Sequence, residues 1–232
     1  VEKSNSNHFM YWTKPKRGAP RDYVPPTETT KMTFDEWHSI AKHADKYKLN
    51  NESVHYYFMV GSPPGDRTKS FVARDLPFFS TASPNFFITN PKANKGTQCR
   101  FAMRGIISET HYDSGKNMVA MIHGAKRYVL TPPETCKYLG IISDPRHPSF
   151  RHSVIDWSNI EQAKANNFDQ VKAIDTIVQE GEILYIPSFW FHYIIALNYA
   201  IQCNSRSGYP KEMNGHEHIE KSDCMNMKIK NK

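Results

Sequence analysis

The segment Ser108-Glu109-Thr110-His111-Tyr112-Asp113 places an imidazole and a carboxylate two positions apart. Side chains alternate along an extended strand, so His111 and Asp113 point to the same side, as two ligands of one ion must. That pair alone says little, because a lone histidine is far more often a hydrogen-bonded structural residue than a ligand. A second segment, Glu180 to His192, supplies what is missing. A Gly-acid turn feeds the apolar run Ile183 to Ile186, Pro187 stops it, and His192 follows the aromatic cluster Phe189-Trp190-Phe191. Two imidazoles and one carboxylate on one face of a metal leave the opposite positions open, the arrangement of non-heme iron(II) sites that bind a cosubstrate and dioxygen together. His111, Asp113 and His192 are therefore the expected metal ligands and the catalytic centre.

Lys126 adds an independent element. On the strand after Gly124 it shares a face with Tyr128 and Leu130, the face that should turn inward, and a buried ammonium needs a buried anion. The competing reading turns Arg127 inward instead, or pairs Lys126 with a protein carboxylate. On the last strand Gln202 and Asn204 share one face while Tyr199, Ile201 and Cys203 take the other; an ordinary polar exterior would look the same.

The elements that must position these residues are short. From Cys99 onward, β-branched and aromatic runs at 99–108, 117–123, 126–131, 173–178, 182–186 and 192–204 are cut by turn residues, a barrel or sandwich pattern. Upstream, Thr33 and Glu36 form a capping box, and Phe34, Trp37, Ile40, Ala41, Ala44 and Tyr47 recur at helical spacing, predicting a helix that packs on the barrel. Helical turns are expected from Pro133 to about Leu139, closed by Gly140, and after Ser158 with Glu161. Residues 61–66 read as a loop. The division is an extended, proline-rich arm over 1–32, a catalytic domain over 33–206 and a polar tail over 207–232.

The chain has 232 residues, 39% of them hydrophobic, with 13 Phe and 12 Tyr. That suits one domain with a substantial core. Its formal charge of +7 sits mainly at the ends: residues 1–31 carry +3, residues 206–232 carry +2, and the remaining +2 lies on the body. Basic ends on a nearly neutral body are usually solvated, so nucleic acid is the minority reading. No apolar run reaches the roughly 18 residues of a membrane helix. Cys99, Cys136, Cys203 and Cys224 form no C-x-x-C pair, and most are expected as buried thiols. The chain starts at Val1 with no signal-peptide pattern, which favours cytoplasm or nucleus, although a trimmed chain could have lost a targeting segment. Asn51-Glu52-Ser53 is a glycosylation sequon of the kind chance supplies.

The segment Cys99 to Asn204 resembles the JmjC and cupin-like 2-oxoglutarate oxygenases, most of all the asparaginyl hydroxylases that inhibit hypoxia-inducible factor. His111-Tyr112-Asp113, Asn117 six residues after His111, Lys126-Arg127 before Pro132-Pro133, and Gly181-Glu182 leading through Leu184-Tyr185-Ile186-Pro187 to His192 match in order and spacing. The resemblance implies a mostly β fold with flanking helices, a double-stranded β-helix of the jelly-roll or cupin type. It makes His111, Asp113 and His192 the iron(II) ligands and pairs Lys126 with the distal carboxylate of 2-oxoglutarate, which Ser108 and Tyr57 also contact. Asn117 and Asn204 hydrogen-bond near the cosubstrate and metal. Phe191 replaces a tryptophan common before the distal histidine. The paired helices with which that hydroxylase dimerises have no counterpart in the short polar tail, so a monomer is expected.

The activity implied is hydroxylation of a substrate C–H bond, consuming dioxygen and 2-oxoglutarate, with a protein side chain as the expected target. An N-methyl-lysine demethylase of the JmjC type is the runner-up. The other class is a non-oxidising cupin that binds a metal or serves as an interaction module, against which the complete triad and Lys126 argue. The remaining histidines, His123, His147, His152, His216 and His218, are read as bland.

Overall fold

The computed structural model describes residues 1–9, 24, 27–47, 53–62, 71–76, 79, 84–144, 147–159, 161, 164 and 168–208. Its elements are β1 (Glu2–Ser4), β2 (His8–Phe9), β3 (Glu28–Thr29), α1 (Phe34–Tyr47), β4 (His55–Ser62), α2 (Phe71–Asp75), β5 (Thr97–Ala102), β6 (Ile107–Tyr112), β7 (Lys116–His123), β8 (Ala125–Thr131), β9 (Ile174–Gln179), β10 (Ile183–Ile186), β11 (Phe191–Ala196) and β12 (Ala200–Ser207). A seven-stranded sheet runs β10-β7-β12-β5-β4-β1-β3 and a five-stranded sheet runs β2-β6-β11-β8-β9. From β5 to β12 successive strands alternate between the two sheets, except that β8 and β9 pair within the five-stranded one, a jelly-roll pattern. None of the described helices is long and apolar enough to cross a membrane.

α1 forms where the capping box places it: the Thr33 N–H donates to Glu36 Oε2 at 2.7 Å and the Glu36 N–H to Thr33 Oγ1 at 3.2 Å. Its stripe is narrower than the sequence implies. Trp37, Ala41 and Ala44 are buried, while Phe34 and Tyr47 at its ends are exposed. Trp37 meets Phe101 of β5 edge-on at 5.8 Å and its indole N–H donates to Tyr56 O at 3.2 Å, which fixes α1 on the seven-stranded sheet.

Two runs that read as single strands are each two. The run 99–108 breaks at Met103–Ile106, where Gly105 has φ +81°, and β5 and β6 lie in different sheets. The run 192–204 breaks at Leu197–Tyr199 between β11 and β12. Apolar texture continues across both breaks because these turns are themselves packed, so periodicity alone does not show them. The expected helix at Pro133 is a 3-10 turn, Pro133–Tyr138, followed by Gly140 at φ +54°. Of the arm, residues 2–4 and 8–9 are strands that add to β4 and β6. Most of the residues that would follow the Ser158 cap, together with Pro15, Pro20, Pro25, Pro26, Asn51, residues 63–66 and 209–232, lie outside the described residues.

The expectation of buried thiols is corrected. Cys99 and Cys203 face each other in register on β5 and β12 and form a disulfide, Cys136 is disulfide-bonded as well, and no cysteine among the described residues is free. Cross-strand neighbours 104 positions apart cannot be paired from sequence spacing.

Candidate metal centre

β6 and β11 are hydrogen-bonded neighbours, and their register puts His192 directly opposite His111. The two ring centroids are 4.2 Å apart, and His192 Nε2 lies 3.9 Å from Asp113 Oδ2 just beyond the end of β6. One ligand atom from each of His111, Asp113 and His192 lies within 4.8 Å of the others, and all three residues are buried. Each histidine is oriented from behind. His111 Nδ1 lies 2.7 Å from Glu109 O and His192 Nδ1 3.0 Å from Trp190 O, so each Nδ1–H donates to a main-chain carbonyl and each Nε2 is left as a lone-pair donor. Burial, with the neighbouring histidines, pushes the His111 imidazole well below its ordinary value, and burial lowers His192 too. Both are neutral, as metal binding requires. Burial opposes ionisation of Asp113, but Arg206, His111, His192 and Arg151 outweigh it and hold the carboxyl below its usual range.

This donor set, two neutral imidazoles and an ionised carboxylate converging in a buried cavity, fits a divalent metal of the iron(II) class. Strain is concentrated around it. The two non-glycine residues with positive φ among the described residues, Arg151 (73°) and Phe189 (65°), both hold Asp113. The Phe189 N–H donates to Asp113 O at 2.8 Å and Arg151 Nη1 to Asp113 Oδ1 at 3.3 Å. Such conformations persist only where surrounding contacts over-determine them.

Two adjoining cavities lie between the two sheets. One, at the metal end, is lined by His111, His192, Asn117 of β7 and Asn204 and Arg206 of β12. The other is lined by Tyr57, Ser108 and Lys126, and Arg100, Gln202 and Ile194 line both. All eight residues singled out from the sequence thus come to one region. Asn204 Nδ2 donates to Asn117 Oδ1 at 3.0 Å, and Arg100 Nη1 donates to Asn204 Oδ1. Tyr128, on the inward face of β8 with Lys126, donates to Gln202 Oε1 at 2.6 Å. Arg127 turns outward and forms a two-pronged pair with Asp175 at 2.8 and 2.5 Å. Lys126 is 4% exposed, and burial and then the nearby Arg100 guanidinium push its ammonium down to about 7. Among the described residues no carboxylate pairs with it.

Four contributors were not singled out from the sequence. Arg206 Nη2 sits 2.7 Å from Asp113 Oδ2; the signal was there, since Gln202, Asn204 and Arg206 alternate on one face of β12. Arg100 lies on β5 on the same face as Gln98, to whose Oε1 its Nη2 donates at 2.9 Å. Arg151 and His152 come from a loop with no motif. The His152 ring stacks on His111 with centroids 4.9 Å apart, and burial lowers its imidazole to about 4.

A jelly roll with a His/Asp/His centre between its sheets defines a cupin-type protein. The cupin-like domain family matches residues 13–206, and the chain belongs to that family. Among its relatives, tRNA wybutosine-synthesizing protein 5 of Danio rerio is 28% identical over 182 residues, covering 75% of this chain and 52% of that protein. Lysine-specific demethylase 8 of Xenopus tropicalis is 33% identical over 99 residues, covering 42% of this chain and 22% of that one. The HSPB1-associated protein 1 of Rattus norvegicus is 30% identical over 95 residues, covering 40% and 20%. The chain therefore spans about half or less of the curated relatives it matches.

Proposed function

We propose that this chain is an iron(II)- and 2-oxoglutarate-dependent dioxygenase that hydroxylates a C–H bond of a protein side chain, acting as a monomer with residues 33–206 as the catalytic unit. His111, Asp113 and His192 would hold the iron. With 2-oxoglutarate and dioxygen, that centre supplies oxidative decarboxylation of the 2-oxo acid coupled to oxidation of the substrate. The observation that carries the reading is Lys126: a buried ammonium with no carboxylate beside it among the described residues, at the far end of two adjoining cavities that reach the triad. A fold keeps such a charge where an anion arrives with the ligand. A dicarboxylic 2-oxo acid suits both ends, one carboxylate on Lys126 with Ser108 and Tyr57, the 2-oxo end toward the metal beside Asn117 and Asn204.

A plain metal-binding cupin has no use for Lys126, which is why an oxygenase is preferred. Two of the relatives bear on the substrate. The wybutosine relative, matched over most of this chain, favours a tRNA nucleoside as the second substrate reading, and the lysine demethylase relative favours N-methyl-lysine. The test needs no substrate: purified chain with iron(II), 2-oxoglutarate and ascorbate should form succinate slowly without one, Asp113→Ala should abolish it, and Lys126→Met should raise the 2-oxoglutarate concentration it needs about thirty-fold or more. Metal binding by the triad with no 2-oxoglutarate binding and no succinate would leave the plain cupin.

A further inference from the structure

A second group of ligating side chains lies behind the first. β2 pairs with β6 in parallel, His8 beside Ile107 and Phe9 beside Ser108. This brings the His8 ring onto Glu109, whose Oε1 contacts His8 Nδ1. Asp156 completes the group: ligand atoms of His8, Glu109 and Asp156 lie within 4.8 Å of one another. All three line a cavity of about 490 Å³. Asp156 is fixed from behind, its Oδ1 accepting from the Ser158 N–H at 2.8 Å and from Ser158 Oγ at 2.6 Å.

The second observation is Glu109 itself. It is 6% exposed, yet its Oε2 is buried with no hydrogen-bond partner among the described residues. A carboxylate oxygen left in that condition is costly unless something positive meets it. We propose that His8, Glu109 and Asp156 form a second divalent-metal site, separate from the triad, that takes an ion of the zinc class. One imidazole nitrogen with two carboxylate oxygens is a ligand set that suits zinc, whereas calcium and magnesium favour oxygen alone. Three protein ligands leave a coordination position toward the cavity. β6 then carries the two centres back to back: the Glu109 carbonyl accepts from His111 Nδ1 on the triad side, and its carboxylate serves the other. Such an ion also ties the edge strand β2 to the sheet.

The test uses the full chain stripped with a chelator and titrated with zinc sulfate by calorimetry. In the background Asp113→Ala/His192→Ala, which removes the triad, one equivalent of zinc should still bind and raise the melting temperature. Adding Asp156→Asn, or separately His8→Gln, should weaken that binding at least tenfold and cancel the rise. The idea is overturned if the background binds no zinc, or if its bound equivalent is indifferent to both substitutions. If the background does not fold, the same substitutions in the otherwise wild-type chain should lower the zinc stoichiometry from two to one, and an unchanged stoichiometry overturns the idea. One equivalent in the wild-type chain that is sensitive to Asp156→Asn but not to the triad substitutions would instead refute the triad.

Discussion

Ser108 and His111, three residues apart on β6, line two adjoining cavities between the sheets because β6 slips by one residue against β11 between the pairs His192–His111 and Ile194–Ser108. Strict alternation would send one of them outward. The bulge instead turns both inward and frees Glu109, between them, for the opposite side. One irregularity in one strand thereby serves both the cavity at the metal and the one at Lys126.

The ligand assignment is tested by Asp113→Ala, His111→Ala and His192→Ala, each measured for iron(II) affinity and succinate formation. Each removes one of three protein donors, so iron affinity should fall by more than about 100-fold, beyond the loss typical of changing only an outer partner. Full turnover in the Asp113 variant would refute the assignment.

Gly124 makes the turn that delivers Lys126. It has φ +76°, and a Cβ there would lie 2.4 Å from Tyr199 O and 2.5 Å from Asn198 Oδ1. Gly124→Ala should cost more than about 1 kcal/mol, because both the backbone conformation and the space exclude a side chain. Thermal melting checks this, and an unchanged melting temperature would show that the turn has another solution.

Much of the centre was legible before the fold was known. Metal chemistry restricts residue types, and strand alternation restricts spacing, so His111, Asp113 and His192 stand out; the alternation around Lys126 also correctly turned Arg127 outward. What stayed hidden depends on pairing between distant segments. Nothing near Arg151 or His152 announces that a loop residue will brace Asp113 or stack on His111, and the β6 slip exists only against β11. The arm residue His8 reaches Glu109 only through a parallel strand pairing that residues 8–9 are too short to signal.

The Cys99–Cys203 link joins β5 to β12, the strands carrying Arg100 and Asn204. Replacing both cysteines by alanine should cost about 2–4 kcal/mol by releasing a long unfolded-state loop. For a chain of this size that is a fall of roughly 4–16 °C in melting temperature. Chains in the cytoplasm or nucleus keep such thiols reduced. Titrating free thiols in denaturant without reductant, on protein taken directly from its native compartment, therefore tests both the pairing and the cytoplasmic or nuclear placement expected from the sequence; reactive Cys99 and Cys203 would refute the pairing there.

The cosubstrate reading turns on the charge of Lys126. Burial and Arg100 bring its ammonium down to about 7, against roughly 10.4 in an unfolded chain. Between these values the unfolded chain holds a proton that the folded chain has lost, so this group makes stability rise with pH across that window. Below about pH 7 the full cost of the buried charge is present. Lys126→Met removes the cost while keeping much of the aliphatic stem. The ligand-free variant should therefore be more stable than wild type by about 2–5 kcal/mol at pH 6, with the gain shrinking toward pH 9. Binding of 2-oxoglutarate has the opposite requirement, because its distal carboxylate needs the ammonium. Wild-type protein should take up close to one proton on binding at pH 8 and almost none at pH 6, read by calorimetry in buffers of different ionisation enthalpy. In Lys126→Met the affinity should fall by about 2–5 kcal/mol, thirty-fold or more, with no proton uptake and with iron binding retained. Unchanged 2-oxoglutarate affinity in that variant would remove the reason for preferring an oxygenase to a metal-binding cupin.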